Sequence, residues 1–339
     1  MKNTIGAVIA PFMVSFINRD VPVPQKGEAI LRVQCSAVCG SDLHIFRDKH
    51  PAVRLPATIG HELSGEVVQL GEDASGFAVG DRVTLEPVIA CGQCAACQRG
   101  FYGYCENISF SYREGDGAMA HYIKVKTRFL HRLPKSMSYE AGALIEPLAV
   151  ATHAVRRAGI GLGESVVIIG AGAIGILAAA VCKASGAGTI LITDRSDFRL
   201  EMARKFGATH TVNATREDPL EMVARLSDGA GFDKSFECVG HQSTFHQAMF
   251  ALKRNGQMTQ VGIFEEPNIT INAARFVTHE IRVVGAQGYC WDFPAALSLA
   301  EQISLESLIT HSFSLEQLQT ALETAMDANA VKVVIKPQK

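Results

Sequence analysis

The sequence predicts an α/β protein of two domains, a β-rich, partly open barrel and a doubly wound parallel sheet. Its 339 residues exceed what one hydrophobic core usually supports, since domains cluster at roughly 100 to 200 residues. Up to about residue 150 the chain is punctuated by Gly and Pro and carries short alternating runs, such as 29–33 and 65–70, the pattern of barrel strands. From about residue 160 the texture changes to apolar strands followed by Ala-rich helical stretches, which marks βαβ units. The expected domains are residues 1–150, joined by a C-terminal return over about 292–339, and residues 151–291.

In the second half, an apolar strand at 165–169 is followed by helical spacing over 174–185 and a strand at 189–193. Further strands are expected at 209–213, 234–239, 258–263 and 281–286, with helices at 199–206 and 219–226 between them. The tail reads as an amphipathic helix at 293–303, a helix at 315–325 and a final strand at 331–335 that returns to the first domain. The chain shows no internal repeat or low-complexity segment, which argues against a solenoid or a disordered scaffold.

A formal net charge of -2 and a pI near 6.6, without a long run of Lys or Arg, argue against a polyanion-binding surface, so nucleic acid is not an expected partner. The N-terminus has one Lys and then a short apolar stretch broken by Pro11, too brief and too interrupted for a signal peptide. The longest apolar runs, such as 174–182, fall short of the roughly 18 to 20 residues that cross a bilayer. A soluble, cytoplasmic protein with no membrane partner is expected. Nine cysteines, an odd number with close spacing, suit thiolates sharing a metal in a reducing compartment better than a disulfide framework. Cys35, Cys182, Cys238 and Cys290 lie among apolar neighbours and read as small buried hydrophobes.

Cys39-Gly40-Ser41-Asp42-Leu43-His44 and Gly60-His61-Glu62-Leu63-Ser64-Gly65 bring a thiolate, an imidazole and a carboxylate onto Gly-flanked turns. Zinc accepts all three ligand types, and a catalytic zinc keeps one position open, so three protein ligands suffice. Glu146, in Ile145-Glu146-Pro147-Leu148, is a fourth candidate. Ser41 and His44 supply a hydroxyl and an imidazole, the parts of a proton relay out of a buried site. Arg47, Lys49, His50 and Arg54 form a basic segment between the two stretches; it reads first as a solvated loop and second as a receiver of a substrate phosphate or carboxylate.

Cys91, Cys94 and Cys97 follow C-x-x-C-x-x-C spacing, with Cys105 after seven further residues. Four thiolates satisfy tetrahedral zinc completely, so this second zinc is expected to staple a loop that has little core of its own. An iron-sulfur cluster of the ferredoxin kind needs its next cysteine after about three residues and before Pro, whereas Cys105 precedes Glu106.

Gly170-Ala171-Gly172-Ala173-Ile174-Gly175 follows an apolar strand and opens an Ala-rich helix. In that context Gly170 permits a tight turn, Gly172 lets the backbone approach a pyrophosphate, and Gly175 lets helix and strand pack closely. The next strand ends at Asp194, where a carboxylate accepts from both ribose hydroxyls and repels a 2′-phosphate, so NAD is expected over NADP. Arg195 beside it is left open between a phosphate contact, stacking on adenine and solvent.

On these residues, in this order, the chain resembles the zinc-containing medium-chain dehydrogenases, which include alcohol, polyol and threonine dehydrogenases. Gly60-His61-Glu62-x-x-Gly65, with Gly71 and Ala74 behind it, is similar to the zinc motif of that family. The resemblance covers almost the whole chain and implies a GroES-like catalytic barrel with a Rossmann domain for NAD. It implies that Cys39 and His61 are zinc ligands. It also implies that Glu146, standing where many alcohol dehydrogenases have a second cysteine, places the chain nearer the polyol and threonine branches. There either Glu62 or Glu146 contacts the metal, directly or through water, and the sequence leaves the two open. The resemblance further implies that Ser41 contacts the substrate hydroxyl, that His44 passes the proton on through the cofactor ribose, and that Arg199 is the common Arg of the cofactor loop.

The expected activity is hydride transfer between a secondary alcohol of a polyol or sugar-derived chain and NAD. 2,3-Butanediol and L-threonine are the alternative substrates. A zinc-stapled module without catalysis is the alternative of another class, opposed by the intact set Cys39, Ser41, His44, His61 and Glu62. A homo-oligomer, dimer or tetramer, is expected, with the edge strand at 281–286 as an interface.

Overall fold

The computed structural model describes residues 2–338, apart from the side chain at position 114. It divides into two compact units, Met1–Glu146 with Ser304–Lys339 and Pro147–Ile303.

In the first unit the long strand Glu28–Ala37 is the organising element. It pairs antiparallel with Glu62–Leu70, Tyr122–Lys126 and the C-terminal strand Lys332–Lys336. Arg82–Leu85 and Leu130–Arg132 extend one side, and Ile309–Ser314 lies parallel to Lys332–Lys336 on the other, giving a seven-stranded sheet. A second sheet is formed by the hairpin Lys2–Ala10 and Met13–Asp20 with Ala57–Thr58. Inward side chains including Ile5, Leu31, Val33, Leu63, Val67 and Val83 make one of the buried cores, each such side chain contributing about 1.5–3 kcal/mol by leaving water.

The second unit is a six-stranded sheet in which every pairing is parallel. Its strands are Ser165–Ile169, Thr189–Asp194, His210–Asn213, Phe232–Glu237, Leu252–Gln260 and Arg282–Gly285, and numbered in that order they lie 3-2-1-4-5-6 across the sheet. The first strand is buried along nearly all its length, as a strand covered on both faces requires. Strand order reverses between Ser165–Ile169 and Phe232–Glu237, and ligands of such sheets bind outside the carboxyl ends at that point.

Several elements differ from expectation. The strand expected at 258–263 runs over Leu252–Gln260 instead. It meets its neighbour first at Leu252 and regains register only at Gln257, and the polar stretch between includes Asn255 at φ +61. It stops early because the Val261 and Gly262 amides both donate to the Glu237 carbonyl. The helices Ile145–Ala158 and Gln242–Phe250 were not anticipated. The C-terminal return begins at Ser304 rather than about 292, so the helix Phe293–Ala300 belongs to the second unit. There the Phe293 ring meets Tyr289 at 5.0 Å, and Asp292 bonds His153 Nδ1 at 2.9 Å. Among the described residues no helix is long and apolar enough to cross a membrane.

Candidate metal and cofactor sites

Cys39 and His61 reach one another in the first unit because a buried carboxyl ties their two loops. Cys39 caps the helix Gly40–Phe46 in extended conformation, and Asp42, one turn on, accepts from the Cys39 amide at 2.9 Å and from the Gly60 amide at 2.9 Å. Asp42 Oδ1 stands 3.9 Å from His61 Nδ1. Burial pushes the Asp42 carboxyl up, against the opposing pull of His61 and these amides. Sequence reasoning missed Asp42 as a functional residue; its signal is an acid at the third helical position after a cap, the pattern of a capping box.

The ligand atoms of Cys39, His61 and Glu62 all lie within 4.8 Å of one another. His61 Nδ1 is buried with no hydrogen-bond partner, while the Glu62 carboxylate faces Lys332 Nζ at 2.6 Å. A buried ring nitrogen left without a partner is costly, and with the thiol and carboxylate beside it this soft-and-hard donor set fits a zinc ion. Burial first, and Glu62 second, push the Cys39 thiol up to about 12 in the metal-free protein. Glu146, in the first turn of Ile145–Ala158, is outside this three-residue set. Its carboxyl is pushed up to about 8, chiefly by burial, with His61 opposing and Glu62 and Cys39 adding to the rise.

Lys332 enters from the C-terminal strand. Its Nζ lies 2.6 Å from the Glu62 carboxyl and 3.1 Å from the Val38 carbonyl oxygen. Burial alone would lower its pKa, and Glu62 and Cys39 reverse that into a rise. Nothing local announces this residue, since 270 positions separate it from Glu62. Tyr112 is the other newcomer, with its ring 5.5 Å from that of His61.

Ser41 and His44 occupy the helix that Cys39 caps, three residues apart and so on one face. Ser41 lowers the pKa of the Cys39 thiol against the larger effect of burial, and His44 Nδ1 is 3.2 Å from the Arg47 guanidinium. Of the basic segment, Lys49 and Arg54 are exposed, and His50 is half-buried with its pKa lowered by burial first and by His44 and Arg113 next.

Cys91, Cys94, Cys97 and Cys105 form the second cluster, their sulfurs within 4.8 Å of one another. All nine cysteines are free of disulfides. Backbone amides, that of Cys97 foremost, hold the Cys94 thiol down to about 6, whereas desolvation pushes Cys97 up to about 12. The four-thiol set fits a closed tetrahedral zinc site.

In the second unit Gly170 takes φ +101, and Gly172 caps the helix Ala173–Ala184. A Cβ on Gly175 would stand 1.9 Å from the Gly170 carbonyl oxygen, while one on Gly172 would meet nothing within 4 Å. The loop is thus tight where helix meets strand and open where a phosphate would approach its amides. Ala173 and Ile174 form the first turn of the helix. Asp194 braces the loop, accepting from the Ala171 amide at 2.8 Å through Oδ2 and from the Arg195 and Ser196 amides through Oδ1. Arg195 is exposed and Arg199 half-buried on the helix that follows.

A parallel sheet ordered 3-2-1-4-5-6, a glycine loop at its switch point and two separate metal-type donor sets define a zinc-binding dehydrogenase. Residues 25–135 match the alcohol dehydrogenase GroES-like domain and residues 173–302 the zinc-binding dehydrogenase family. A sorbitol dehydrogenase of Bacillus subtilis is 35% identical over all of this chain and 96% of its own length. An L-threonine 3-dehydrogenase of Thermococcus kodakarensis is 34% identical, covering 94% of this chain and 93% of itself. The crystal structure of galactitol-1-phosphate dehydrogenase from Escherichia coli superposes with a TM-score of 0.91 at 30% identity, over 98% of this chain and 100% of that one. The chain belongs to the zinc-containing medium-chain alcohol/polyol dehydrogenase family. It is an NAD(P)-dependent oxidoreductase of that family.

Proposed function

We propose that the protein oxidises a secondary hydroxyl of a polyol or sugar-derived chain to the ketone, with NAD as acceptor. The observation that carries this reading is the Cys39, His61 and Glu62 donor set, closed to within 4.8 Å with Cys39 half-buried and the other two buried, beside a buried Glu146 rather than a second cysteine. Cys39, His61 and Glu62 would hold the catalytic zinc, with Glu146 near it, and Cys91, Cys94, Cys97 and Cys105 the structural one. When bound, zinc supplies Lewis-acid polarisation of the substrate oxygen. Nicotinamide supplies the hydride acceptor.

The remaining work falls to the chain's own groups. Asp42 holds the two ligand loops in register through the Cys39 and Gly60 amides. Lys332 fixes the Glu62 carboxyl. Ser41 accepts the substrate hydroxyl proton and His44, on the same helix face, carries it outward; in the reverse direction the same pair returns it. Gly170, Gly172 and Gly175, with Ala173 and Ile174 opening the helix, cradle the cofactor pyrophosphate, while Asp194, Arg195 and Arg199 lie on the adenosine side. Asp194 disfavours a 2′-phosphate by charge. A cytoplasmic setting suits nine cysteines with no disulfide among them. A dimer or tetramer is proposed, with the edge strand Arg282–Gly285 as its interface.

The test is reduction of NAD and NADP by zinc-replete protein across polyols, sugar acids, sugar phosphates, 2,3-butanediol and L-threonine, with Cys39→Ala as control. Turnover of a polyol-type substrate with NAD, lost in the control, supports the reading. Turnover confined to threonine or butanediol replaces the substrate class. No turnover despite bound zinc and NADH favours a non-catalytic binding role.

A further inference from the structure

At the carboxyl end of Phe232–Glu237, Glu237 is fully buried, and its side chain collects donors from two neighbouring loops. Oε1 accepts from the Val239 amide at 2.9 Å, the Gly240 amide at 2.9 Å and Thr244 Oγ1 at 2.8 Å. Oε2 accepts from Gln260 Nε2 at 2.5 Å and from the Gly240 amide at 3.0 Å. Its backbone carbonyl accepts from the Val261 and Gly262 amides. One residue therefore ties the loop after the fourth strand to the loop after the fifth.

The sequence makes room for this seam. Gly240 has φ +85, and a Cβ there would lie 2.2 Å from the Ile263 carbonyl oxygen; a Cβ on Gly262 would lie 2.4 Å from the Gly240 amide nitrogen and 2.6 Å from Glu237 Oε2. The two loops meet backbone to backbone with the Glu237 carboxyl between them.

What the seam controls is Val239. A Cβ built on Gly170 would stand 2.6 Å from Val239 Cγ2, so this side chain rests directly against the first glycine of the dinucleotide loop. The loop is braced from two sides, by Asp194 through the Ala171 amide and by Val239 from the loop after the fourth strand.

We infer that Glu237 is a positioning residue for the cofactor, holding Val239 and the glycine loop in the shape that receives the dinucleotide pyrophosphate. Glu237 touches neither substrate nor cofactor and acts through Val239. The inference rests on the reading of the second unit as the NAD-binding half and adds a determinant that lies outside the glycine motif.

Glu237→Gln tests it, because the amide NH2 now faces amide and hydroxyl donors where an oxygen accepted before. The readouts are NADH dissociation constant by fluorescence titration, kcat at saturating cofactor, and zinc content. The NADH constant is expected to rise about tenfold or more, the size of effect that losing buried hydrogen bonds produces, with kcat and zinc content changed less than about threefold. Thr244→Val removes one donor and leaves the carboxyl in place; it is expected to weaken NADH about threefold and serves if Glu237→Gln does not fold. An NADH constant within about twofold of the unaltered protein in whichever variant folds overturns the inference, whatever happens to the melting temperature. Failure of the unaltered protein to bind NADH would overturn the cofactor reading itself and this inference with it.

Discussion

Replacing Lys332 with Met removes the cation facing Glu62 while keeping most of the side chain's length. The two groups lie 2.6 Å apart, with side chains 4% and 1% exposed. Removing one partner of such a pair strands the other charge in a low-dielectric interior, at a cost of about 3–5 kcal/mol. In a domain of 150–250 residues each kcal/mol moves Tm by about 2–4 °C, so metal-free Lys332→Met is expected to melt about 6–20 °C below the unaltered protein. The Val38 carbonyl loses its donor as well.

Zinc changes the size of this effect. If Cys39, His61 and Glu62 hold zinc, the dication would supply part of the charge that Lys332 no longer does, so the drop in Tm is expected to shrink in zinc-loaded protein. Adding Glu62→Gln to Lys332→Met removes the stranded charge and recovers part of the loss in the metal-free form, while zinc affinity falls. Differential scanning calorimetry of the three proteins, with and without zinc, reads all of these. A metal-free Lys332→Met protein melting within about 2 °C of the unaltered one, or equal drops in the two metal states, would refute the reasoning.

Three further outcomes are expected. His44→Ala lowers kcat/KM by about a hundredfold or more and flattens the pH-rate profile near neutrality, as loss of a general base does; a profile unchanged in shape would remove His44 from the proton route. After chelation, iodoacetamide at pH 7 modifies Cys94 before Cys97, because amide donors hold the Cys94 thiol near 6 while Cys97 sits near 12, and only the thiolate is nucleophilic; peptide mapping by mass spectrometry finding Cys97 first would contradict this. Asp233 is carried to about 2, since burial, which raises it, is outweighed by Lys253 and by the Ser165 hydroxyl and amide. Its folded value lies below its unfolded 3.8, so its stabilisation is full above pH 4 and lost as pH falls toward 2. The Tm gap between unaltered protein and Asp233→Asn, measured in parallel, should therefore close over that window and stay constant from pH 5 to pH 8.

Much of the fold was legible because its signals are local. The strand Ser165–Ile169, the glycine loop and the helix Ala173–Ala184 are contiguous in sequence, and each interprets the next. Periodicity reads poorly where a strand is irregular, as at Leu252–Gln260, whose polar stretch at 253–256 broke the apolar pattern. The helix Phe293–Ala300 shows a different failure. Its amphipathic spacing was visible, but its allegiance depends on Asp292 meeting His153, a contact 139 residues apart that no window can see.

The same division runs through the sites. Cys39, His61, Glu62 and the four cysteines of the second cluster are legible because metal-type donors group by chemistry and spacing, and the fold brings each group to within 4.8 Å. The residues that hold these donors and the glycine loop are not. Asp42, Lys332 and Glu237 look in sequence like a helix-cap acid, a strand-edge lysine and an acid at the end of a strand, yet each is buried and each ties segments that lie apart in the chain. A buried charge or carboxyl survives only where the fold returns partners to it. The unexplained burial of an ionisable side chain is therefore the structural sign of a supporting residue, and it becomes visible only when strands distant in sequence are brought into register.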